Sequence, residues 1–101
     1  MIYITQLIYI KEGKENTFQE FENVAIPILK NYGGELLLRI RPSENEIIEQ
    51  SIETPYEIHF LSFPSENHLS EFMKDEERKK FTDLKEASIR SVLLVKGEKM
   101  G

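Results

Sequence analysis

The stretch from Phe18 to Arg41, FQEFENVAIPILKNYGGELLLRIR, constrains the fold more than any other part of this chain. It sets an amphipathic helix, a Gly-Gly stop and a strand carrying two arginines in direct succession. Phe18, Phe21, Ala25, Ile28, Leu29 and Tyr32 recur at i, i+3, i+7, i+10, i+11 and i+14, which draws one apolar stripe at the 3.6-residue period. Lys14, Glu15, Glu20, Glu22 and Asn23 fall mostly off that stripe and are expected in solvent. Pro27 lacks an amide donor and clashes one turn back, so a kink or a break is expected between Asn23 and Pro27. Gly33 and Gly34 close the helix, because glycine takes the left-handed C-terminal cap at no steric cost. A phosphate loop is the competing reading of a Gly-Gly pair. Such loops open a helix at its positive dipole end, however, and these glycines stand at the negative end.

The flanking segments complete an alternating pattern. Ile2 to Ile10 is rich in β-branched and aromatic residues and reads as a first strand. Ile2, Ile4, Ile8 and Ile10 share one parity, broken by Gln6, which needs a hydrogen-bond partner if buried. Tyr3, Thr5, Leu7 and Tyr9 share the other, more polar one. Glu35 to Arg41 is the second strand; Leu36, Leu38 and Ile40 are expected on one face, and Glu35, Leu37, Arg39 and Arg41 on an enclosed but wet one. The acidic run with Glu44, Glu46, Glu49 and Glu53 is long for a loop, and Ile47, Ile48 and Ile52 suggest a short strand or a packed lid within it. Tyr56 to Phe63 is a third strand, and Ser65 can cap a second helix whose buried side holds Leu69, Phe72 and Met73. The run Asp75 to Lys80 reads as a solvated face with Asp75–Lys79 and Glu76–Lys80 pairs, and the helix is expected to bend near Asp75 and restart toward Phe81 and Leu84. Ile89 to Lys96 is a fourth strand, and residues 97–101 form a fraying tail.

The order β-α-β-β-α-β predicts an α+β, ferredoxin-like domain over residues 1–96, with both helices on one face of a four-stranded antiparallel sheet. The other sheet face is left bare, and a second copy of the chain could cover it, closing two sheets into a barrel around a cavity. A net charge of −5 without a basic block argues against a nucleic-acid partner. The absence of cysteine removes disulfides, thiolate metal sites and a cysteine nucleophile. The N-terminus MIYITQLIYIKEG has no basic lead and no small-residue cleavage site, and its apolar run is too short to span a bilayer. A cytoplasmic protein with no membrane partner is expected.

Among chemistry-bearing residues, Arg39 stands first. On an enclosed face its guanidinium would hold the carboxylate or enolate oxygen of a small ligand, or else form an ion pair with Glu35, Glu57 or an acid of a partner chain. His59 is the only histidine within a strand. It is either a general base or a core histidine bonded to Glu57 or a backbone carbonyl, and which side of the sheet it faces is open. His68 is expected at the surface. Tyr3, Tyr9 and Tyr32 suit core or pocket wall, and the pocket set is Tyr3, Tyr32, Arg39 and Arg41. Two histidines nine positions apart make no metal site, no cofactor is expected, and no serine has a Gly-x-Ser-x-Gly setting.

Ile26-Pro27, Tyr32-Gly33-Gly34, Arg39, Phe63-Pro64-Ser65 and Leu84-Lys85-Glu86-Ala87 together resemble the dimeric α/β-barrel superfamily, nearest its small uncharacterised members with a Tyr-Gly-Gly…Arg pattern. The resemblance spans nearly the whole chain. It departs at Ser62, where a carboxylate is common, at Arg78 in place of an aromatic residue, and at Lys85 in place of an arginine. It implies a homodimer whose cavity binds a small anionic or partly apolar molecule, with position 62 facing that cavity and His59 turned toward the helices. Cofactor-independent oxygenation and isomerase-type proton transfer are the reaction classes it suggests, with Arg39 and His59 as catalytic candidates. The alternative is a non-catalytic dimerisation or ligand-binding module.

Overall fold

A computed structural model describes residues 1–101. Strand β1 spans Ile2–Ile10, β2 Glu35–Ile40, β3 Glu57–Phe63 and β4 Ile89–Gly97. They form one antiparallel sheet in the order β2-β3-β1-β4. Helices α1 (Glu15–Ile28), α2 (Glu66–Met73), α3 (Glu76–Lys79) and α4 (Thr82–Ser88) cover one sheet face. This is the ferredoxin-like fold that the element order predicts.

The core lies between the two layers. Ile4 and Ile8 of β1 pair with Leu61 and Glu57 of β3, and these side chains meet Phe18, Phe21, Ala25, Ile28 and Leu29 of the long helix and the turn after it. Helix α1 runs through Pro27 without breaking into two helices between Asn23 and Pro27. The chain instead tightens beyond the proline into a 3-10 turn, Leu29–Tyr32. Gly33 ends that turn at φ 71° with its amide on the carbonyls of Leu29 and Lys30. Gly34 serves a different purpose: a Cβ there would stand 2.8 Å from Phe63 Cε1 and 3.0 Å from the Leu29 carbonyl oxygen.

The second helical segment breaks and restarts at Asp75, as expected, and breaks once more before Thr82, giving three pieces. Asp75 is the reason for the first break, since its carboxylate accepts from the Arg78 amide at 2.8 Å and caps a new helix while also accepting from Tyr32 Oη at 2.5 Å. The surface pairs that form are Glu76–Lys79 and Glu77–Lys80, one residue closer than expected, because α3 is too short to offer i, i+4 partners. No strand or packed lid forms in the acidic loop. Glu44–Glu46 makes a 3-10 turn, and Ile48 is 96% exposed.

One irregularity in β2 rearranges the sheet face. Leu36 pairs with Leu61, but Leu38 pairs with Phe60, so Leu37 is an extra residue, a β-bulge. Beyond it the parity reverses. Leu38 and Ile40 leave the face of Leu36 and join Tyr3, Leu7, Phe60, Leu93 and Val95 on the open side of the sheet, while Arg39 and Arg41 swing under the helices beside His59 and Glu57.

Gly34→Ala is expected to lower stability by about 1–3 kcal/mol, because Phe63 is fully buried and cannot step aside. A drop in the urea midpoint at constant slope would report it.

Candidate functional site

Two polar assemblies lie beneath the helices, and they differ in how far their groups are satisfied. The first is built on Glu57, which is 1% exposed. Its Oε1 accepts from Arg39 Nε at 2.7 Å and from His59 Nε2 at 2.7 Å; its Oε2 accepts from Arg41 Nε at 2.8 Å and Arg39 Nη2 at 3.1 Å. Gln19 of α1 accepts from both guanidiniums through Oε1, at 3.1 and 3.3 Å, which ties the helix to the sheet. Arg41 also lies over the ring of Tyr56, 4.9 Å from its centroid. Burial pushes the Glu57 carboxyl up, but hydrogen bonds from Arg39, His59 and Arg41 together outweigh it and hold the group below its ordinary value. Burial lowers His59, against the pull of the Glu57 hydrogen bond, so the ring is held neutral with Nε2 as the donor.

The second assembly lines a cavity of about 210 Å³ between helices and sheet. Fifteen of its twenty wall residues are hydrophobic, so a ligand there would be held mainly by apolar contact. The polar wall residues are Gln6, Glu22, His59, Arg78 and Lys85. Glu22 is 6% exposed; its carboxyl forms no hydrogen bond or ion pair with the protein, and its oxygens keep a residual contact with solvent. Burial raises it to about 7; Arg39 and Arg78 pull it down and Glu57 pushes it further up. Arg78 stacks on Phe72 at 5.0 Å, and neither its guanidinium nor the Lys85 ammonium has an anionic partner within ion-pair distance. The Gln6 amide, the odd polar residue among the isoleucines of β1, faces this cavity. Val92 and Leu94 of the edge strand β4 line it while remaining partly exposed, so the cavity opens on that side.

The residues read from the sequence therefore separate. Arg39, Arg41 and His59 gather around Glu57, and of these only His59 also touches the cavity. Tyr3 is on the open face, stacked on Phe60 at 5.7 Å. Tyr32 packs edge-on to Phe72 and donates to Asp75. His59 faces the helices and Ser62 the open side; His68 is exposed, with Nδ1 2.7 Å from Ser65 Oγ. Glu22 was expected in solvent and is buried. It lies four residues after Phe18, three before Ala25 and seven before Leu29, inside the angular width of the apolar stripe, and that spacing was the signal for it. Arg78 and Lys85, two of the departures from the superfamily pattern, are cavity residues.

No family model matches the sequence, and no curated protein matches it significantly. Solved structures do match in fold. A protein of unknown function from Rhodopseudomonas palustris superposes with a TM-score of 0.82 at 13% identity, over 99% of this chain and 82% of that one. An uncharacterised NIPSNAP domain protein from Burkholderia xenovorans gives 0.70 at 14%, over 99% and 95%. A proposed antibiotic biosynthesis monooxygenase from Nitrosomonas europaea gives 0.75 at 8%, over 100% of both chains. At these identities the likeness defines the class, a ferredoxin-like α+β domain. No helix is long and apolar enough to cross a membrane.

Two pH effects follow. Glu57 contributes stability above its unfolded value of 4.5 that is lost as pH falls through its depressed folded value, and Glu57→Gln is expected to cost about 3 kcal/mol at neutral pH. Glu22 acts oppositely. Its folded value exceeds 4.5, so stability present below pH 4.5 is lost as pH rises through about 7, by up to about 3 kcal/mol. His59 works against this trend below pH 6.5, where the unfolded chain takes up the proton more readily. The difference between wild type and Glu22→Gln in pH-dependent urea unfolding isolates the Glu22 contribution, with the variant the more stable above pH 7.

Proposed function

We propose that this protein is a homodimer that binds a compact, largely apolar anion in the cavity between its helices and its sheet. The observation that carries the reading is the cavity's polar inventory: apolar walls, with Arg78 and Lys85 lacking anionic partners. Two cations at an apolar cavity suit a carboxylate or enolate attached to a hydrocarbon body. The volume of about 210 Å³ is below the range of roughly 300–1,000 Å³ usual for drug-sized ligands, which favours a small molecule. Cofactor-independent oxygenation or isomerase-type proton transfer is the chemistry such a site would perform; the name of the Nitrosomonas neighbour supports the first class and the titratable wall the second. In this reading His59 is the strand residue placed to meet ligand, and Arg39 acts from behind it by fixing Glu57.

The dimer rests on the open sheet face. Leu38, Ile40, Leu93 and Val95 are each at least two-fifths exposed there, beside Tyr3, Leu7 and Phe60, and a patch of this extent is unusual on a monomer. A second copy of the same face is the self-complementary partner that a two-fold axis supplies.

The second reading is a binding module without catalysis. It is favoured by the commitment of Arg39, Arg41 and His59 to Glu57, which leaves the strand-borne polar groups occupied.

Native mass spectrometry of untagged protein is expected to show twice 11.9 kDa, and Leu93→Glu to give the monomer. A wild-type monomer would refute the dimer. Phenylpyruvate, a small apolar carboxylate, is expected to bind, and the Arg78→Ala, Lys85→Ala double variant to weaken it by about tenfold or more. Unchanged affinity in that variant would remove the two cations from the site.

A further inference from the structure

Glu22 is a mostly buried titratable group that lines the cavity and forms no hydrogen bond or ion pair with another side chain, its oxygens keeping only a residual contact with solvent. It sits midway along α1. Around it stand Gln6 of β1, His59 of β3 with Glu57 beside it, Arg39 of β2, Arg78 of α3 and Lys85 of α4. His59, Glu57 and Arg39 are bonded to one another, so they act on Glu22 as a fixed field rather than as proton donors or acceptors. Arg78 and Lys85 are cations whose heads are not neutralised by an ion pair.

Resting on the reading of this cavity as a ligand site, we propose that Glu22 is a proton-transfer residue acting at a carbon atom of the ligand, a small apolar keto acid or similarly activated carbon acid, with Arg78 and Lys85 holding the oxyanion. The apolar wall is what directs the chemistry to carbon. A carboxylate largely withdrawn from water and given no hydrogen bond by the protein is a stronger base than one in solution, and the ligand portion that apolar walls hold against it is hydrocarbon. The step balances within the ligand and the protein. The Glu22 carboxylate takes the hydrogen from a carbon next to a carbonyl group. The C–H electron pair becomes a carbon–carbon double bond, and the carbonyl π pair moves onto oxygen as an enolate. The guanidinium of Arg78 or the ammonium of Lys85 meets that charge. The protonated carboxyl then returns the hydrogen to the enolate oxygen or to a conjugated carbon. The net change is an isomerisation with no atom or electron gained, so no cofactor or oxidant enters. A carboxyl raised to about 7 is present in both forms at neutral pH, as a group that must first accept and then donate requires.

Phenylpyruvate tests this on the intact protein. Its hydrogens between ring and carbonyl are the acidic ones, and their replacement in D2O is followed by loss of the proton NMR signal; binding is read from the same samples by ligand-observed NMR. Wild type is expected to bind and to accelerate exchange over buffer, with a rate that climbs as pH passes through about 7. Glu22→Gln is expected to bind and to lose roughly 100-fold of the acceleration. Glu22→Asp keeps an acid on a shorter arm; if Glu22→Gln fails to fold, a reduced rate with the same pH dependence in this variant carries the assignment. Exchange in a folded Glu22→Gln as fast as in wild type overturns the proton-transfer role, as does wild type that binds without accelerating exchange; either leaves the ligand site standing. Absence of binding overturns both.

Discussion

A single carboxylate, Glu57, holds the two layers of this molecule in register. Bringing a charged carboxyl to 1% exposure costs several kcal/mol in lost hydration, and only partners of good geometry offset it. Glu57 has four contacts from three side chains, two of them from the fork of Arg39. Those partners come from β2, from the residue just after it and from one position on β3, and Gln19 extends the network to α1. The cluster therefore specifies how β2 aligns with β3 and how α1 seats on both. It also governs its surroundings. With Arg39 neutralised by Glu57, the nearest strand cation no longer fully offsets a charge on Glu22, and the neighbouring carboxyl is left to the consequences of its own burial.

Much of this architecture was legible in the sequence, and the portions that were not share a cause. The strands of β1 and β3, the stripe of α1 and the stop at Gly33 follow from periodicity and from glycine's access to positive φ, both local properties. The face taken by Arg39 and Arg41 does not. Leu36-Leu37-Leu38 offers no alternation of polarity, so nothing in the composition of that run marks where an extra residue enters. The site was hidden more deeply. Glu22 reads as an ordinary surface acid unless its position on the helical wheel is weighed above its chemistry, and an acid set within an apolar stripe is the local inconsistency that marks functional positions. Arg78 sits in a charge run whose plain reading is a solvated face. Only the breaks on either side of α3 turn that one member inward while its neighbours stay out.

The two sheet faces thus divide their tasks. Beneath the helices lie a satisfied polar cluster and, next to it, a cavity whose charged groups are left wanting partners. On the open side lies a largely apolar surface with aromatic stacking. Polar side chains on one strand need not share a role with their neighbours, and the separation of Tyr3 from Arg39 across the thickness of the sheet is a case in point.

The bulge at Leu37 gives β2 an unusual relation to the genetic code. Side-chain identity there is undemanding, because Leu37 is an extra residue without a partner of its own across the strand. Its presence matters through the count. A regular ladder running on from Leu36 with Leu37 paired in turn would bring both guanidiniums to the face that Leu38 and Ile40 now occupy, emptying the Glu57 cluster and charging the apolar surface in one event. Losing Leu37 together with its bulge would instead leave Arg39 opposite His59, so this short run should tolerate drift in composition and the loss of that one residue, a pattern of constraint that counts residues rather than naming them.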